Sequence, residues 1–179
     1  MDTDLIFAYD SAQLGIPRTR KITKFVYDIT TGLDFESGRL KVGRLMENCL
    51  SNADRYLTRQ VESMDFDDIY FPDFRRLIRH LAAQGFAEPY GARRYAKKVT
   101  VLFVDEETEN LKQAVDELVR LRDTRVFVVA IGEIDMYTAA LLATKPVNDH
   151  MVHVPSYKYL HTAKSTLQQK MCRWLSEES

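Results

Sequence analysis

Three short, nearly continuous apolar runs constrain this chain more than any other feature: Leu5 to Tyr9, Val99 to Val104 and Val126 to Ile131. Each is five or six residues long and rich in β-branched and aromatic side chains. Runs of this kind read as strands buried on both faces rather than strands with one wet side. Two of them stop at an aspartate, Asp10 and Asp105, and the third stops at Gly132. Strands buried on both faces need cover on both sides, and the intervening segments have the pattern to supply it.

After the first run, Pro17 opens a helix. Ile22, Phe25, Val26, Ile29 and Leu33 then form one apolar stripe, and Gly32 and Gly38 punctuate its exit. Arg39 to Met46 alternates polar and apolar residues, as a strand with one solvated face does. Tyr56 and Leu57 mark a short partner strand, and residues 60–71 are the least regular part of the chain. Pro72-Asp73 begins a second helix that runs to about Gly85. Leu111, Val115 and Leu118 mark a third helix, and residues 134–143 form another, ending before Lys145-Pro146. Met151 to Val154 is a last short strand, and Leu160, Leu167, Met171 and Trp174 line a final helix. The alternation predicts a three-layer α/β/α sandwich around a doubly wound, mostly parallel six-stranded sheet. Adjacent second and third strands without a helix between them predict one antiparallel edge strand near residues 53–59.

The 179 residues fit a single domain over 1–179, read here as one excised from a longer protein. A net charge of −1 gives no global bias toward nucleic acid. No apolar run approaches the roughly 20 residues that a spanning helix needs, so no membrane insertion is expected. Cys49 and Cys172 are too few for a disulfide framework and lack zinc spacing. The topology sets them toward opposite ends, against a mutual bridge, which leaves quiet thiols or bridges to other chains.

In an open parallel sheet, ligands bind beyond the carboxyl ends of the strands, at the switch point. Asp10, Asp105 and the loop after Ile131 belong there. Two carboxylates on adjacent strand ends begin a site for a hard cation such as Mg²⁺ or Ca²⁺. One of Asp67, Asp68 or Asp73 is available to complete a rearranged acidic site. Against this, aspartates also suit strand ends because they accept hydrogen bonds from nearby backbone N–H groups. Two basic groups stand out. Arg75, Arg76, Arg79, Arg93 and Arg94, with Lys97 and Lys98, form a candidate surface for an acidic polysaccharide or acidic partner, or else solvated helix faces. Arg18, Arg20, Lys21 and Lys24 form the other. His150, His153 and His161 lack companion ligands at zinc spacing and read as ordinary strand and helix residues. Ser11 lacks a nucleophile elbow, and no glycine-rich phosphate loop follows the first strand. No catalytic residues and no enzyme are expected.

These motifs together resemble the von Willebrand factor A domain family. The stretch from Asp4 to Gly15 resembles that family's opening strand, which ends in an Asp-x-Ser-x-Ser metal motif. Arg39-Leu-Lys-Val-Gly43 is similar to its second strand. Val99 to Asp105 is similar to its fourth, and Val126 to Gly132 to its fifth. Cys172 matches a cysteine often found near the domain's end. The resemblance covers essentially the whole chain. Carried over residue by residue, it implies a degenerate metal site. Asp10 and Asp105 remain, but Ala12 and Leu14 replace the two serines and Glu106 replaces the glycine after Asp105. No threonine or serine lies between Asp65 and Arg76. Side chains without oxygen cannot ligate a hard cation.

The resemblance therefore implies a non-enzymatic, secreted adhesion module that binds a protein or extracellular-matrix partner, with collagenous and acidic polysaccharide ligands as partner classes. No cofactor is expected beyond weak Mg²⁺ or Ca²⁺ at Asp10 and Asp105. A metal-dependent receptor using a rearranged acidic site, and an intracellular scaffold, stay open as alternatives.

Overall fold

A computed structural model describes residues 3–30, 40–47, 73–90 and 92–177. The sheet is built from β1 (Thr3–Asp10), β2 (Leu40–Glu47), β3 (Lys97–Asp105), β4 (Thr124–Ile131) and β5 (Met151–Val154). Its order is β2-β1-β3-β4-β5, and every described pair is parallel. The expected antiparallel edge strand near 53–59, the sixth of the sheet, lies outside the described residues, as does Leu33 of the first helical stripe.

Every residue of β1 is buried, as its unbroken apolar run requires of a strand covered on both faces. Successive side chains alternate across the sheet and so divide the core in two. Leu5, Phe7, Tyr9, Val99, Val101, Phe103, Phe127, Val129 and Ile131 line one face. They pack against α1 (Ser11–Thr30) and the final helix α6 (Ala163–Glu177). Ile6, Ala8, Leu102, Val104, Val126, Val128 and Ala130 line the other. These meet α2 (Phe74–His80), α3 (Leu111–Glu117) and α4 (Met136–Leu142). Thr100 is the one threonine inside the central runs, and its hydroxyl donates to the Ile6 carbonyl at 3.1 Å.

The helices follow their sequence signals with local adjustments. The α1 run is broken at Gly15, whose φ of 73° and ψ of 169° are not helical. A side chain there would meet nothing within 4 Å, so the positive φ rather than crowding is what favours glycine. Pro17 then sits in the first turn after the break, where its missing N–H is harmless. Ile22, Phe25, Val26 and Ile29 are all buried on one stripe. Asp73 caps α2 by accepting from the Arg75 N–H, and the helix closes in a π turn over Leu81–Gly85. Leu160 does not belong to the last helix as expected. It lies in a preceding 3₁₀ segment, Tyr157–Thr162, and is still buried against the sheet.

Phe103 is the hub of the first core, with ring centroids of Phe7, Tyr9 and Phe25 at 6.4, 6.1 and 5.9 Å. Truncating it leaves a cavity that rigid strands cannot close. Phe103→Ala is expected to cost about 3–5 kcal/mol of stability, measured by denaturant unfolding.

Candidate site at the strand carboxyl ends

The chain leaves β1 toward β2 on one side and returns to β3 on the other, so the switch point falls between β1 and β3. Asp10 and Asp105 end those two strands, as the sequence led us to expect, and both are buried. Asp10 accepts from the Gln13 backbone N–H at 3.1 Å, which ties the start of α1 to the strand end.

Asp105 is held from several directions. Arg18 Nη1 donates to its Oδ2 at 2.9 Å, and the Tyr157 hydroxyl donates to the same oxygen at 2.9 Å. Its Oδ1 accepts from the Glu107 backbone N–H at 3.0 Å and from the Thr108 hydroxyl at 3.3 Å. The Asp105 backbone N–H donates in turn to Thr108 Oγ1 at 2.9 Å. Arg18 also reaches Glu106, with Nη2 3.6 Å from Oε1, and its guanidinium lies 5.6 Å from the centre of the Tyr157 ring. A positive φ of 87° at Gly132 lets the loop after β4 pass close to Glu106, and a Cβ there would collide with that carboxylate.

The electrostatics follow from this packing. Burial works against the charge on Arg18, but the Asp105, Glu106 and Tyr157 groups outweigh it and hold the guanidinium more firmly protonated than usual. Tyr157 is shifted in the same upward direction, first by burial and then by the neighbouring Asp105 charge. It therefore remains a hydrogen-bond donor.

Two other positions that the sequence tied to a cation site, Leu14 and Asp73, are described. Leu14 is buried in the first core cluster. Asp67 and Asp68 lie outside the described residues. Asp73 accepts from Arg75 Nε at 3.0 Å and from Arg75 Nη2 at 2.7 Å, and that pairing lowers its pKa. Among the described residues, no three His, Cys, Asp or Glu side chains converge on a point where an ion could sit. Among the described residues, the oxygens beside Asp10 and Asp105 are fewer than a hard dication takes, and the charge beside Asp105 is a guanidinium.

The candidate basic residues are dispersed. Arg79 pairs with Glu117 at 2.6 Å, and Arg120 reaches the same carboxylate at 2.6 Å. Arg79 and Arg120 together hold Glu117 down to about 2. Arg93 lies at the other end of the sheet, where its Nε donates to Asp4 at 2.8 Å. Arg94 is exposed with its guanidinium over Tyr95, and Arg76 is half-buried on α2. Arg18 does not extend a surface patch with Arg20 and Lys21, because it turns toward Asp105 instead. His153 Nε2 donates to the Gly132 carbonyl at 2.9 Å, an ordinary backbone contact. Cys172 is exposed on α6, and Cys49 lies outside the described residues.

Arg18, Tyr157 and Thr108 are the residues that motif reading did not bring to Asp105. Their signals were positional. Arg18 falls at the start of the helix proper, just past the break at Gly15. Tyr157 comes three residues after β5 ends.

Comparison with known proteins agrees with this architecture. Residues 54–166 match the model of the von Willebrand factor type A domain. Matrilin-1 of Gallus gallus is 24% identical over 182 residues, which cover 95% of this chain and 37% of that protein. The collagen alpha-4(VI) chain of Mus musculus is 21% identical, with 94% of this chain and 8% of that protein covered. This chain thus spans about a third or less of these relatives. Among solved structures, proximal thread matrix protein 1 from the mussel byssus superposes with a TM-score of 0.72 at 14% identity, over 96% of this chain and 48% of that one. Another structure of that protein, described as having a zinc-occupied MIDAS motif, gives a TM-score of 0.71 at 13% identity and the same coverage. With the family model matching well over half of its length, and the sheet order and strand-end aspartates in place, the chain belongs to the von Willebrand factor type A domain family.

Proposed function

We propose that this domain is a non-enzymatic interaction module of the extracellular matrix, and that it engages its partner without a divalent cation. The observation that carries the second half is the Arg18 guanidinium, 2.9 Å from the buried carboxylate of Asp105. A metal at this position would neutralise that carboxylate and offer open coordination positions to a ligand acid. A tethered guanidinium neutralises it too, but it is part of the chain and needs no ion from solution. The matrix setting is supported by the relatives, which include a collagen chain and a byssal thread matrix protein. On this reading the domain is secreted, and its partner is a protein or matrix polymer held by surface contacts.

Three outcomes are expected. Calorimetric titration with Mg²⁺, Ca²⁺ and Mn²⁺ at millimolar levels should give no binding heat, and adhesion to matrix preparations should persist in a chelator. Cation binding in that range, abolished by Asp10→Ala, would reverse the reading in favour of a metal-dependent receptor. Arg18→Ala strands a carboxylate whose side chain is fully buried, while Arg18 itself is 30% exposed. The variant should lose about 2 kcal/mol in denaturant melts, less than for a wholly buried pair because solvent screens part of the interaction. The folded state also resists ionisation of Tyr157. The stability it contributes is therefore complete below the free phenol range, about pH 10, and is lost as pH rises beyond it. Ultraviolet titration should show tyrosine that ionises only on alkaline unfolding, and the amplitude of that late step should fall by one tyrosine in Tyr157→Phe.

A further inference from the structure

On the second face of the sheet, α3 and α4 lie side by side. Each follows one of two parallel strands, so both run back from the strand carboxyl ends in the same direction. Glu117 turns toward α2, where Arg79 holds it at 2.6 Å. By helical rotation, Val115 and Val119 then stand on the opposite flank of α3, toward α4. The same rotation about α4, with Ala139 and Leu142 buried inward, sets Tyr137 and Leu141 on the flank that faces α3. Val119 is 65% exposed, Tyr137 76% and Leu141 37%. Val115, Leu118 and Ile134 are half-buried against the second core. Single exposed apolar side chains are ordinary, but a row of them along the seam between two helices marks a contact surface.

The seam is also electrically polar along its length. At its head, Glu109, Glu133 and Asp135 are exposed, against Lys112. Hydrogen bonds from Thr138, then that from the Tyr137 N–H and the charge of Lys112 across the seam, hold the Asp135 carboxyl below its ordinary range. It is therefore ionised at neutral pH. At the foot, Arg122 is exposed in the turn before β4, and Lys145 is exposed between α4 and the short helix α5 (Val147–His150). Arg120 stands with them beside Glu117, and Asp123 opposes them. One face thus carries acid at one end, base at the other and apolar side chains between. A second copy laid on it antiparallel sets head against foot at both ends. A parallel copy would set acid against acid. A two-fold contact uses the same patch twice, so each favourable end contact also occurs twice.

We propose that the seam between α3 and α4 is a self-association surface, on which a second copy of this chain docks antiparallel about a two-fold axis perpendicular to the seam. Charge selects the occupant: the face supplies both the acidic end and the basic end that its own copy needs. The apolar row supplies the buried centre, and the charged ends form the polar rim. A seam two short helices wide is at the small end of specific interfaces, so the dimer is a weak one. Neither Arg18 nor Asp105 takes part, and the proposal is independent of cation-free partner binding.

Sedimentation equilibrium of the intact chain tests this, with a reductant present so that no disulfide joins copies. Between about 1 µM and 1 mM the chain should pass from monomer to dimer. Val119→Ser combined with Tyr137→Ser changes two side chains that are mostly exposed, and should weaken the dimer at least about tenfold. Reversing the head (Glu109→Lys with Glu133→Lys) or the foot (Arg122→Glu with Lys145→Glu) should weaken it about five- to tenfold. Both reversals in one chain should bring it back to within about twofold, a recovery that a misfolded variant cannot give. The unmutated chain adds a readout free of folding effects: its dimer should weaken several-fold as salt rises from about 50 to 500 mM. A monomer throughout the range would overturn the proposal, as would a dimer that ignores the serine pair. A dimer indifferent to salt, or end reversals that fail to compensate each other, would rule out the antiparallel arrangement.

Discussion

A sheet covered by helices on both faces can keep charge only at its two ends. The middle of β1, β3 and β4 is apolar on both sides, and alternation across the pleat sends Phe7, Val101 and Phe103 one way and Ile6, Leu102 and Val104 the other. Each strand thus adds apolar area to two cores at once, and neither face has room for an unpaired polar group. Thr100 is admitted only because the Ile6 carbonyl takes its proton. In β1, β3 and β4 the charged residues collect at the first or last positions: Asp4, Lys97, Lys98 and Arg125 at the starts, Asp10 and Asp105 at the finishes. The division of the molecule into an acidic end and a basic end follows from that packing.

At the acidic end, the governing cost is that of a carboxylate in a site closed to water. An isolated buried charge is prohibitive, and it persists only if paired and hydrogen-bonded. Asp105 is stabilised by one guanidinium, one phenol, one hydroxyl and one backbone N–H. A dication would deliver more charge from a single point, but it would need oxygen donors that Leu14, now part of the core, does not provide. The guanidinium instead spreads one positive charge over a planar fork that spans Asp105 and Glu106. Glu106 supplies the fork's second acid. At the other end, Arg125, Lys170 and Arg173 gather around Asp149, His150 and Trp174.

Much of this was legible in the residues alone. The parallel sheet, the helices on both faces and the placing of Asp10 and Asp105 on adjacent strand ends all follow from apolar runs, their period and their terminating residues. The loss of oxygen at positions 12 and 14 was equally plain. What replaced the ligands was not. Arg18 was grouped with Arg20, Lys21 and Lys24 because neighbours in sequence look like one patch, whereas on a helix residues two apart face different directions. Tyr157 and Thr108 come from separate loops and share no motif with Asp105. The five candidate basic residues read as one surface for the same reason, yet Arg75, Arg79 and Arg93 are each committed to an acid elsewhere in the fold.

The sequence by itself determined the layers of this protein, because hydrophobic periodicity is a local property: a run apolar at every position can only be a strand hidden on both sides. It also determined that Ala12 and Leu14 offer no oxygen, since a side chain without oxygen cannot become a ligand in any fold. Tertiary structure alone decided which charges meet. Arg18 and Asp105 are 87 positions apart, and Arg125 and Trp174 are closed around one cavity with His150 between them in the chain. Electrostatic interaction falls with distance in space and rises with exclusion of water, and neither quantity is written along a chain until the chain has folded.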